Sequence, residues 1–427
     1  MRWSPLIANN RLRTAAILLI SAFMPAAVSA QAFRNPPQDA KAAGMGNAFV
    51  GRADNASAVF YNPAGIAFLD SPLSTTANLS IIDPRYKNET QEFRTKKQQF
   101  FIPDGFITTD LFNKYLSFGY GAFSEYGLSS AYPKDTPVAP LGYLGSLKTL
   151  DNRFVWALRG PKPFDWASVG GGFDLTYGQT VTKSLLDFGA LTTGIPSGQP
   201  GGATFRGEGH GFGWNLGAMF KMKKMHSLGI SFASHQDINE HGKFKLAGFP
   251  PSLSPVPEIS FPATSKFVLP MKLTGGYMFQ PVDWFKFDAD ITWLKFSRFK
   301  NVSINLDDPT GRFPGQSIAF NFHDSWVYSL GAELGPFKGV SFRSGWCHIQ
   351  SPVPSAYFNP VIPDADRNVA SLGLGYTYKK FSVDLCYAAV AIQPRKINNM
   401  VGAPFTSING RWTGFVNQIL MGASYAL

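Results

Sequence analysis

The sequence is poor in charge, in cysteine and in long apolar runs, and each scarcity excludes a class of protein. Only 16% of the 427 residues are charged, which is low for a soluble enzyme. Two cysteines, Cys347 and Cys386, are too few for a disulfide framework. No uncharged apolar run approaches the roughly 18 residues of a transmembrane helix, and the mean hydropathy is -0.05. A helical membrane protein is therefore excluded.

Aromatic residues and glycine are abundant instead. The chain contains 38 Phe, 15 Tyr, 9 Trp and 42 Gly, and its 44% of hydrophobic residues excludes disorder. The net charge of +11 fits a nucleic-acid ligand, anionic lipid or simply a basic fold, so composition does not choose between them. Apolar residues that are numerous but dispersed are typical of alternating β-strands.

The first thirty residues have the three parts of a secretory signal peptide. Arg2, Arg11 and Arg13 precede an apolar stretch at 15–23, and small residues at 28–30 precede Gln31. The alternative is a buried N-terminal helix. The presence of all three parts of a signal peptide in order argues against it. We therefore predict a signal peptide at 1–30 and export, which leaves a net charge of +8 on the remaining 397 residues.

From about Leu73 onward the sequence alternates with a period of two. The clearest case is 285–293, where odd positions are apolar and even positions are polar or charged. A soluble β-sandwich alternates in the same way, so alternation alone does not establish a membrane barrel. The predicted strands lie near 73–83, 93–103, 115–125, 150–160, 166–180, 205–222, 226–243, 266–280, 284–299, 321–334, 338–350, 368–379, 381–393 and 413–427.

Connection lengths favour the barrel, because short turns alternate with long loops. The short turns are Pro161-Lys162-Pro163, Lys223-Lys224, Pro281-Val282-Asp283, Gly335-Pro336 and Lys379-Lys380. The long connections are 126–149, 181–204, 244–265, 300–320, 351–367 and 394–412. An even strand number with this alternation is typical of bacterial outer-membrane barrels. The sequence therefore predicts an all-β fold over 73–427, a transmembrane antiparallel β-barrel of about 14 strands in the outer membrane of a Gram-negative bacterium.

The last strand ends in an apolar face that resembles the C-terminal insertion pattern of such barrels. Its members are Ile419, Met421, Ala423, Tyr425 and Leu427. The usual terminal residue is Phe, so Leu427 departs from the pattern.

Residues 31–72 do not alternate and are rich in Ala and Gly. A barrel of fourteen strands leaves a lumen unless something fills it. Small residues permit close approach to the wall, and Asn62-Pro63-Ala64 supplies a sharp turn. We predict that 31–72 is a hatch that plugs the barrel. The Gly44-x-Gly46 pair lacks the βαβ context of a phosphate site.

Two runs in this segment, 44–50 and 53–65, resemble the N-terminal hatch signature of the FadL/TodX family of outer-membrane transport proteins. Further matches follow in order along nearly the whole mature chain. They lie at 213–218, 228–232, 269–270, 351–354 and 362–367.

The resemblance implies a monomeric barrel that takes up long-chain fatty acids or aromatic hydrocarbons. In that family the ligand is captured by extracellular loops, binds against the hatch and leaves sideways through a gap in the wall. The resemblance assigns hatch or gating roles to Gly44, Gly46, Asn62, Pro63 and Ala64. The expected partners are a hydrophobic small molecule and outer-membrane lipid, with no nucleic acid.

Two long loops carry apolar residues that suit ligand capture. The candidates are Leu185, Leu186, Phe188 and Leu191 in one loop, and Phe249, Leu253, Val256 and Phe261 in the other. The alternative is that these loops pack on each other as a lid.

The chemistry of transport requires no nucleophile and no base, and we predict that the protein is not an enzyme and has no cofactor. The six histidines are scattered without the spacing of a metal site. Charged residues on the lumen parity either form an ion-pair lining or bind a carboxylate and gate the plug. They are Lys286, Asp288, Asp290, Glu333, Arg343 and Asp384. The competing functions are a general diffusion porin, an outer-membrane lipid hydrolase and an adhesin.

Overall fold

The computed structural model describes residues 33–35, 37–71, 73–111, 115–187, 198, 200–222, 225–249, 257–309, 315–402 and 404–427. The predicted signal peptide and the Lys223-Lys224 turn lie outside the described residues. No helix in the described ranges is both long enough and apolar enough to cross a membrane.

Twenty strands form one continuous antiparallel sheet in the described part of the chain. They are β1 (Leu73–Asn88), β2 (Phe93–Arg94), β3 (Phe100–Leu111), β4 (Leu116–Phe123), β5 (Gly127–Ala131), β6 (Leu144–Arg159), β7 (Ala167–Leu186), β8 (Gly201–Met222), β9 (His226–Ala233), β10 (Gln236–Ala247), β11 (Glu258–Leu269), β12 (Met271–Val282), β13 (Phe285–Lys295), β14 (Asn301–Leu306), β15 (Gln316–Ala319), β16 (Ser325–Phe337), β17 (Val340–Ile349), β18 (Arg367–Tyr378), β19 (Phe381–Ile397) and β20 (Gly410–Ala426).

These strands build fourteen positions around a closed wall. Four positions are interrupted and contain two strands each, namely β4–β5, β9–β10, β11–β12 and β13–β14, while β2 and β15 only extend hairpins. The wall closes where β1 pairs with β20, from Ser74 opposite Ala426 to Asn88 opposite Trp412. The prediction of a fourteen-stranded antiparallel barrel is confirmed.

Several predicted strand bounds are wrong at the end that carries the long loops. The fourth strand begins at Leu144 instead of 150, the eighth at Glu258 instead of 266, and the second covers 100–111 instead of 93–103. The strands continue beyond the apolar belt, where outward side chains such as Lys148 are polar. Backbone pairing persists there, but the contrast in hydropathy that marks a strand in the sequence is lost.

A belt of apolar side chains faces outward around the middle of the barrel. Phe173, Phe212 and Trp214 on the neighbouring strands β7 and β8 are 43%, 63% and 46% exposed. The alternate residues of these strands are buried and small or polar, as Asn215 is. An outward apolar belt of this kind meets lipid in membrane barrels, and it explains the excess of aromatic residues.

The N-terminal segment 33–71 lies inside the barrel. It contains helices α1 (Ala40–Gly44) and α2 (Ala58–Tyr61) and a 3-10 helix (Pro63–Phe68), and most of its residues are buried. The Asp39 carboxylate caps α1 by accepting a hydrogen bond from the Ala42 amide at 2.8 Å. Helix α3 (Ala139–Gly142) and three short 3-10 helices complete the described structure. Those 3-10 helices are Phe296–Arg298, Ser355–Tyr357 and Phe405–Ile408.

Candidate functional site

An apolar cavity of about 430 Å³ lies at the end of the barrel that carries the long loops. Its walls come from β5 to β8, β10, β11, the β14–β15 hairpin, α3 and two long connections. The apolar lining residues are Leu128, Pro140, Leu141, Leu147, Leu186, Ala203, Phe205, Phe244, Phe267, Val302, Ile304, Ile318, Phe320, Val361, Ile362, Pro404 and Phe405. The volume falls within the range of small-molecule sites, about 300–1,000 Å³.

The cavity exists because the apolar side chains of a strand face outward in the belt but inward nearer the extracellular end. In β8, Phe212 and Trp214 face outward in the belt, whereas Ala203 and Phe205, nearer the extracellular end, face inward and are buried. Glycines at alternate positions from 207 to 213 separate the two patterns. Above the belt the barrel therefore has a soluble-like arrangement, with an apolar interior and a polar exterior.

The structure divides the predicted ligand residues. Leu186 lines the cavity, and Phe249 packs with it against the cluster that contains Phe205 and Phe244. Phe261 is buried in β11, while Leu185 is half-buried and is not part of the cavity lining. Leu185 and Leu186 thus belong to β7 instead of a loop. The candidates Phe188, Leu191, Leu253 and Val256 lie outside the described residues.

Aromatic residues of the cavity lining pack against Phe33, the first described residue of the N-terminal segment. Phe33 is fully buried, and its ring centroid lies 4.8 Å from that of Phe267 and 5.3 Å from that of Phe299. Phe320, which packs on Phe299, also lines the cavity. Phe33 therefore supports the lining residue Phe267 from behind, so a movement of the N-terminal segment would change the support of the cavity.

The barrel wall is broken beside Phe33. Strand β4 ends at Phe123 and β5 begins at Gly127, and β3 pairs with β4 only over residues 105–111. In the described structure, residues 100–104 pair on the β1 side alone. At mid-height, therefore, β3 stops pairing with the β4–β5 position of the wall. This leaves a gap in the backbone pairing between the two.

The N-terminal segment satisfies the backbone groups that the break exposes. The Asn35 amide donates to the Glu125 carbonyl at 2.6 Å, and the Gly127 amide donates to the Phe33 carbonyl at 2.6 Å. The Gln38 side-chain amide donates to the Ser124 carbonyl at 3.0 Å. Because buried backbone groups require partners, the geometry of the break depends on the position of this segment.

A buried carboxylate joins the break, the N-terminal segment and the opposite wall. Glu125 accepts hydrogen bonds from the Arg34 guanidinium at 2.8 Å and from Lys272 Nζ at 2.6 Å. Lys272 Nζ also lies 4.4 Å from the centroid of the Phe60 ring. These residues fix the segment against two sides of the barrel, and the sequence contained no signal that would bring them together.

Glycines allow the backbone of the segment to touch the wall. Gly46 has a left-handed φ of 63°, and a Cβ there would lie 2.6 Å from the Trp346 carbonyl oxygen. A Cβ on Gly44 would lie 3.1 Å from Cα of Gly373. Opposite Gly46, a Cβ on Gly345 would lie only 1.9 Å from the Gly46 nitrogen. The small residues of 44–46 are therefore matched by small residues of the wall.

The Asn62-Pro63-Ala64 turn is also held by the wall. Asn62 Nδ2 donates to the carbonyls of Val50 and Ala218, each at 3.1 Å. The Ser168 hydroxyl donates to the Ala64 carbonyl at 2.8 Å. The side-chain oxygen of Asn62 accepts from the Ala64 amide and caps the 3-10 helix. Asn62 thus links two parts of the segment to β8.

Charged residues of the lumen form a buried ion-pair network with the segment. Arg52 pairs with Asp288 at 2.6 Å and with Glu333 at 3.0 Å. Arg343 pairs with Glu333 and with Asp384, each at 2.6 Å. Of the six predicted lumen charges, Asp290 alone binds the backbone, since it accepts hydrogen bonds from the Phe49 and Val50 amides. Lys286 Nζ lies 3.3 Å from the Glu333 carboxylate.

A further ion pair lies within the segment, between Lys41 and Asp54 at 2.8 Å. Burial alone would raise the pKa of Asp54, but the charges of Lys41 and Arg52 outweigh it and hold that pKa well below its usual range. The carboxylate therefore stays ionised at neutral pH, and the pair persists.

The Pro-Asp-Ala-Asp-Arg segment organises a long connection over the barrel mouth. Asp364 accepts from the Ser351 hydroxyl at 2.7 Å and pairs with Arg367, and Asp366 accepts from the Ser351 amide at 2.8 Å. The folded connection places Val361 in the cavity wall. The segment thus shapes the cavity by holding this connection in a fixed fold. The sequence did not predict that role.

No group of three or more His, Cys, Asp and Glu side chains in the described ranges is arranged to hold a metal ion. What the structure does bring together is an apolar cavity, an N-terminal segment packed inside the barrel and a break in the wall. A closed antiparallel barrel with an outward apolar belt belongs to the class of outer-membrane β-barrels.

The comparisons with known proteins agree with this class. The family model described as "Outer membrane protein transport protein (OMPP1/FadL/TodX)" matches residues 21–426, and the chain belongs to that family. A relative, the long-chain fatty acid transport protein of Escherichia coli K12, is 26% identical over 397 residues, which cover 83% of this chain and 87% of the relative.

Two solved structures share the fold. One is a Pseudomonas aeruginosa FadL homologue, with 20% identity, a TM-score of 0.79 and coverage of 92% of this chain and 99% of that one. The other is the P. putida toluene transporter TodX, with 16% identity, a TM-score of 0.71 and coverage of 92% and 99%. The predictions of the family and of the outer-membrane location are confirmed.

Proposed function

We propose that the protein takes up hydrophobic compounds, such as long-chain fatty acids or aromatic hydrocarbons, across the outer membrane without chemical change. The single observation that carries the proposal is the apolar cavity above the belt, whose lining residue Phe267 packs on Phe33 of the N-terminal segment. Such a cavity holds an apolar solute away from water. The names of the relatives, which include a fatty acid transporter and a toluene transporter, support the ligand class.

In this proposal the N-terminal segment is a hatch and its movement admits the ligand. Gly44, Gly46, Asn62, Pro63 and Ala64 hold the hatch against the wall through the contacts described above. Displacement of Phe33 removes the packing behind Phe267 of the cavity lining, and displacement of Asn35 and Gln38 releases the backbone of the wall break. The ligand then leaves sideways at the break and enters the outer membrane.

The cavity is tested by filling it. In Ala203→Phe the added ring enters the cavity, and uptake of labelled oleate by a complemented deletion strain should fall several-fold. Gly202→Phe is the matched control, because Gly202 is the neighbour on the opposite parity and a Cβ there has no atom within 4 Å. Equal uptake of oleate and of an aromatic hydrocarbon panel by the deletion strain and its complemented parent would remove the transport proposal itself.

Lateral release is tested by tethering the wall break. Pro103→Cys and Ser124→Cys, in a chain with Cys347 and Cys386 replaced by Ala, place thiols on the two sides of the break. Bridging them with a cleavable bis-maleimide should reduce uptake, and cleavage of the bridge should restore it. A tether between Thr377→Cys and Ser382→Cys is the control, because these residues are already paired. Normal uptake by the tethered break would exclude this exit.

Two assays separate this proposal from a porin and from a lipid hydrolase. A general diffusion porin would conduct ions continuously in planar bilayers, whereas the hatched barrel should conduct only in brief openings. A lipid hydrolase would release fatty acid from purified phospholipid, and we expect no release.

A further inference from the structure

The outer surface above the belt is strongly basic on one side of the barrel. The outward residues of β7, β8 and β10 there include Lys183, Arg206, Lys243 and Lys245, which we call the cation cluster. In the strand register Arg206 lies directly opposite Lys243, while Lys183 and Lys245 both lie opposite Thr204. The four side chains thus occupy adjacent positions on three paired strands.

The central pair of this cluster is unusual because like charges directly opposite each other destabilise a sheet. Side chains in such positions have Cβ atoms only about 5 Å apart. The nearby carboxylates on this face have other partners. Glu258 pairs with Lys245 at 2.5 Å, and Asp237 pairs with Lys266 at 2.6 Å. Glu208 accepts a hydrogen bond from the Tyr177 hydroxyl at 2.9 Å. Within the ranges that the structure describes, neither Arg206 nor Lys243 has an ion-pair partner. Arg206 and Lys243 thus form a position at which an external anion can bind.

Beside the cluster, a polar depression of about 660 Å³ lies on the same outer surface. It is formed by residues of β10, β11 and β14 together with Arg298. Its polar lining residues are Asn239, Glu240, His241, Thr264, Ser265, Lys266, Arg298, Asn301, Ser303 and Asn305. Lys266 is paired with Asp237, so the amides, the hydroxyl groups and the Arg298 guanidinium are the groups that suit a sugar carrying hydroxyl groups and phosphate.

The height of the cluster identifies what it meets. Arg206 is six residues from Phe212 of the belt, about 20 Å along the strand and, with a strand tilt of about 40°, about 15 Å above the ring. The strands run toward the long connections, which face the cell exterior in such barrels. The cluster and the depression therefore lie at the headgroup level of the outer leaflet, whose characteristic lipid is a phosphorylated glycolipid.

We propose that the cation cluster and the polar depression form a binding site for the phosphorylated sugar headgroup of the outer-leaflet glycolipid, lipid A with its inner core. The Arg206 guanidinium and the Lys243 ammonium bind one phosphate between them, which removes their mutual repulsion. The depression at Asn239 and Thr264 receives the adjoining sugar. The acyl chains then lie on the belt below, at Phe212.

The test is the binding of purified lipopolysaccharide to the full-length protein in detergent, measured by native mass spectrometry and by titration. Arg206→Gln with Lys243→Gln should weaken binding at least tenfold and reduce its dependence on salt. Lys338→Gln with Lys379→Gln is the matched control, because it removes two exposed lysines from the opposite end of the barrel and should leave binding unchanged. Heat-modifiable electrophoretic mobility verifies that each barrel is folded.

Two further probes identify the ligand chemistry. Lipopolysaccharide treated with phosphatase should bind the unsubstituted protein as weakly as the native glycolipid binds the double variant. Phosphatidylglycerol vesicles should bind at least tenfold more weakly than lipopolysaccharide. Equal affinity of the double variant and its control would overturn the proposal, and so would equal affinity for the dephosphorylated glycolipid or for phosphatidylglycerol.

This site is independent of the proposed transport function. Arg206 and Lys243 point away from the cavity, so the double variant should take up labelled oleate at the normal rate. Loss of glycolipid binding with normal uptake supports the site, and loss of uptake in the cavity variant Ala203→Phe concerns transport alone.

Discussion

The contact between Gly345 and Gly46 gives the sharpest test of how the N-terminal segment closes the barrel. In Gly345→Ala the new Cβ would lie 1.9 Å from the Gly46 nitrogen and 2.3 Å from the Met45 carbonyl carbon. Ordinary contacts of a Cβ begin at about 3.4 Å, so the segment has to retreat by about 1.5 Å. Both partners are backbone, so no side chain can turn aside to absorb the displacement.

The expected cost of this overpacking is about 1–3 kcal/mol, which favours displaced positions of the segment by about 5- to 150-fold. Planar-bilayer recordings should therefore show a higher open probability, and cells should become sensitive to a large antibiotic that the intact barrel excludes. Gly46→Ala should act in the same way, because it meets the Trp346 carbonyl at 2.6 Å from the other side.

Gly275→Ala is the control, since a Cβ at that wall position meets only Ile291 Cγ2, at 3.9 Å. It should conduct as the unsubstituted protein does. If Gly345→Ala folds into a heat-modifiable barrel and its open probability equals that of Gly275→Ala, the close approach does not hold the segment shut and the reasoning is refuted.

Three other predictions concern the contacts of the same segment. Arg52→Met leaves Asp288 buried without its ion-pair partner, while Glu333 keeps Arg343 and Lys286, and should destabilise the segment by about 3–5 kcal/mol, seen as faster proteolysis. Adding Asp288→Asn should recover part of the loss, and full resistance in the single variant would contradict the ion pair's role. Phe33→Ala removes the ring that supports the lining residue Phe267 and should lower oleate affinity in a binding titration, whereas Phe101→Ala, at an exposed aromatic on β3, should not. Lys272→Met leaves Glu125 with Arg34 alone and should raise the open probability in bilayers, while removing the exposed Lys266 should have no such effect.

The barrel wall could be predicted from local patterns in the amino-acid sequence. Period-two alternation and the contrast between short turns and long loops encode a barrel, because each strand has one face in lipid and one face inside. The small residues at 44–46 and the Asn62-Pro63-Ala64 turn mark a segment of a different kind. Local patterns such as these are visible wherever the structural repeat is short.

The candidate site could be located only in the tertiary structure. The cavity depends on a switch of apolar parity between Phe205 and Phe212, which a search for continuous alternation overlooks. The wall break brings Arg34, Glu125 and Lys272 together across 91 to 238 residues of chain, with only general inward parity as a guide. The register between neighbouring strands likewise set Arg206 opposite Lys243. Contacts of this kind follow from closure of the barrel, which fixes distances that no local pattern contains.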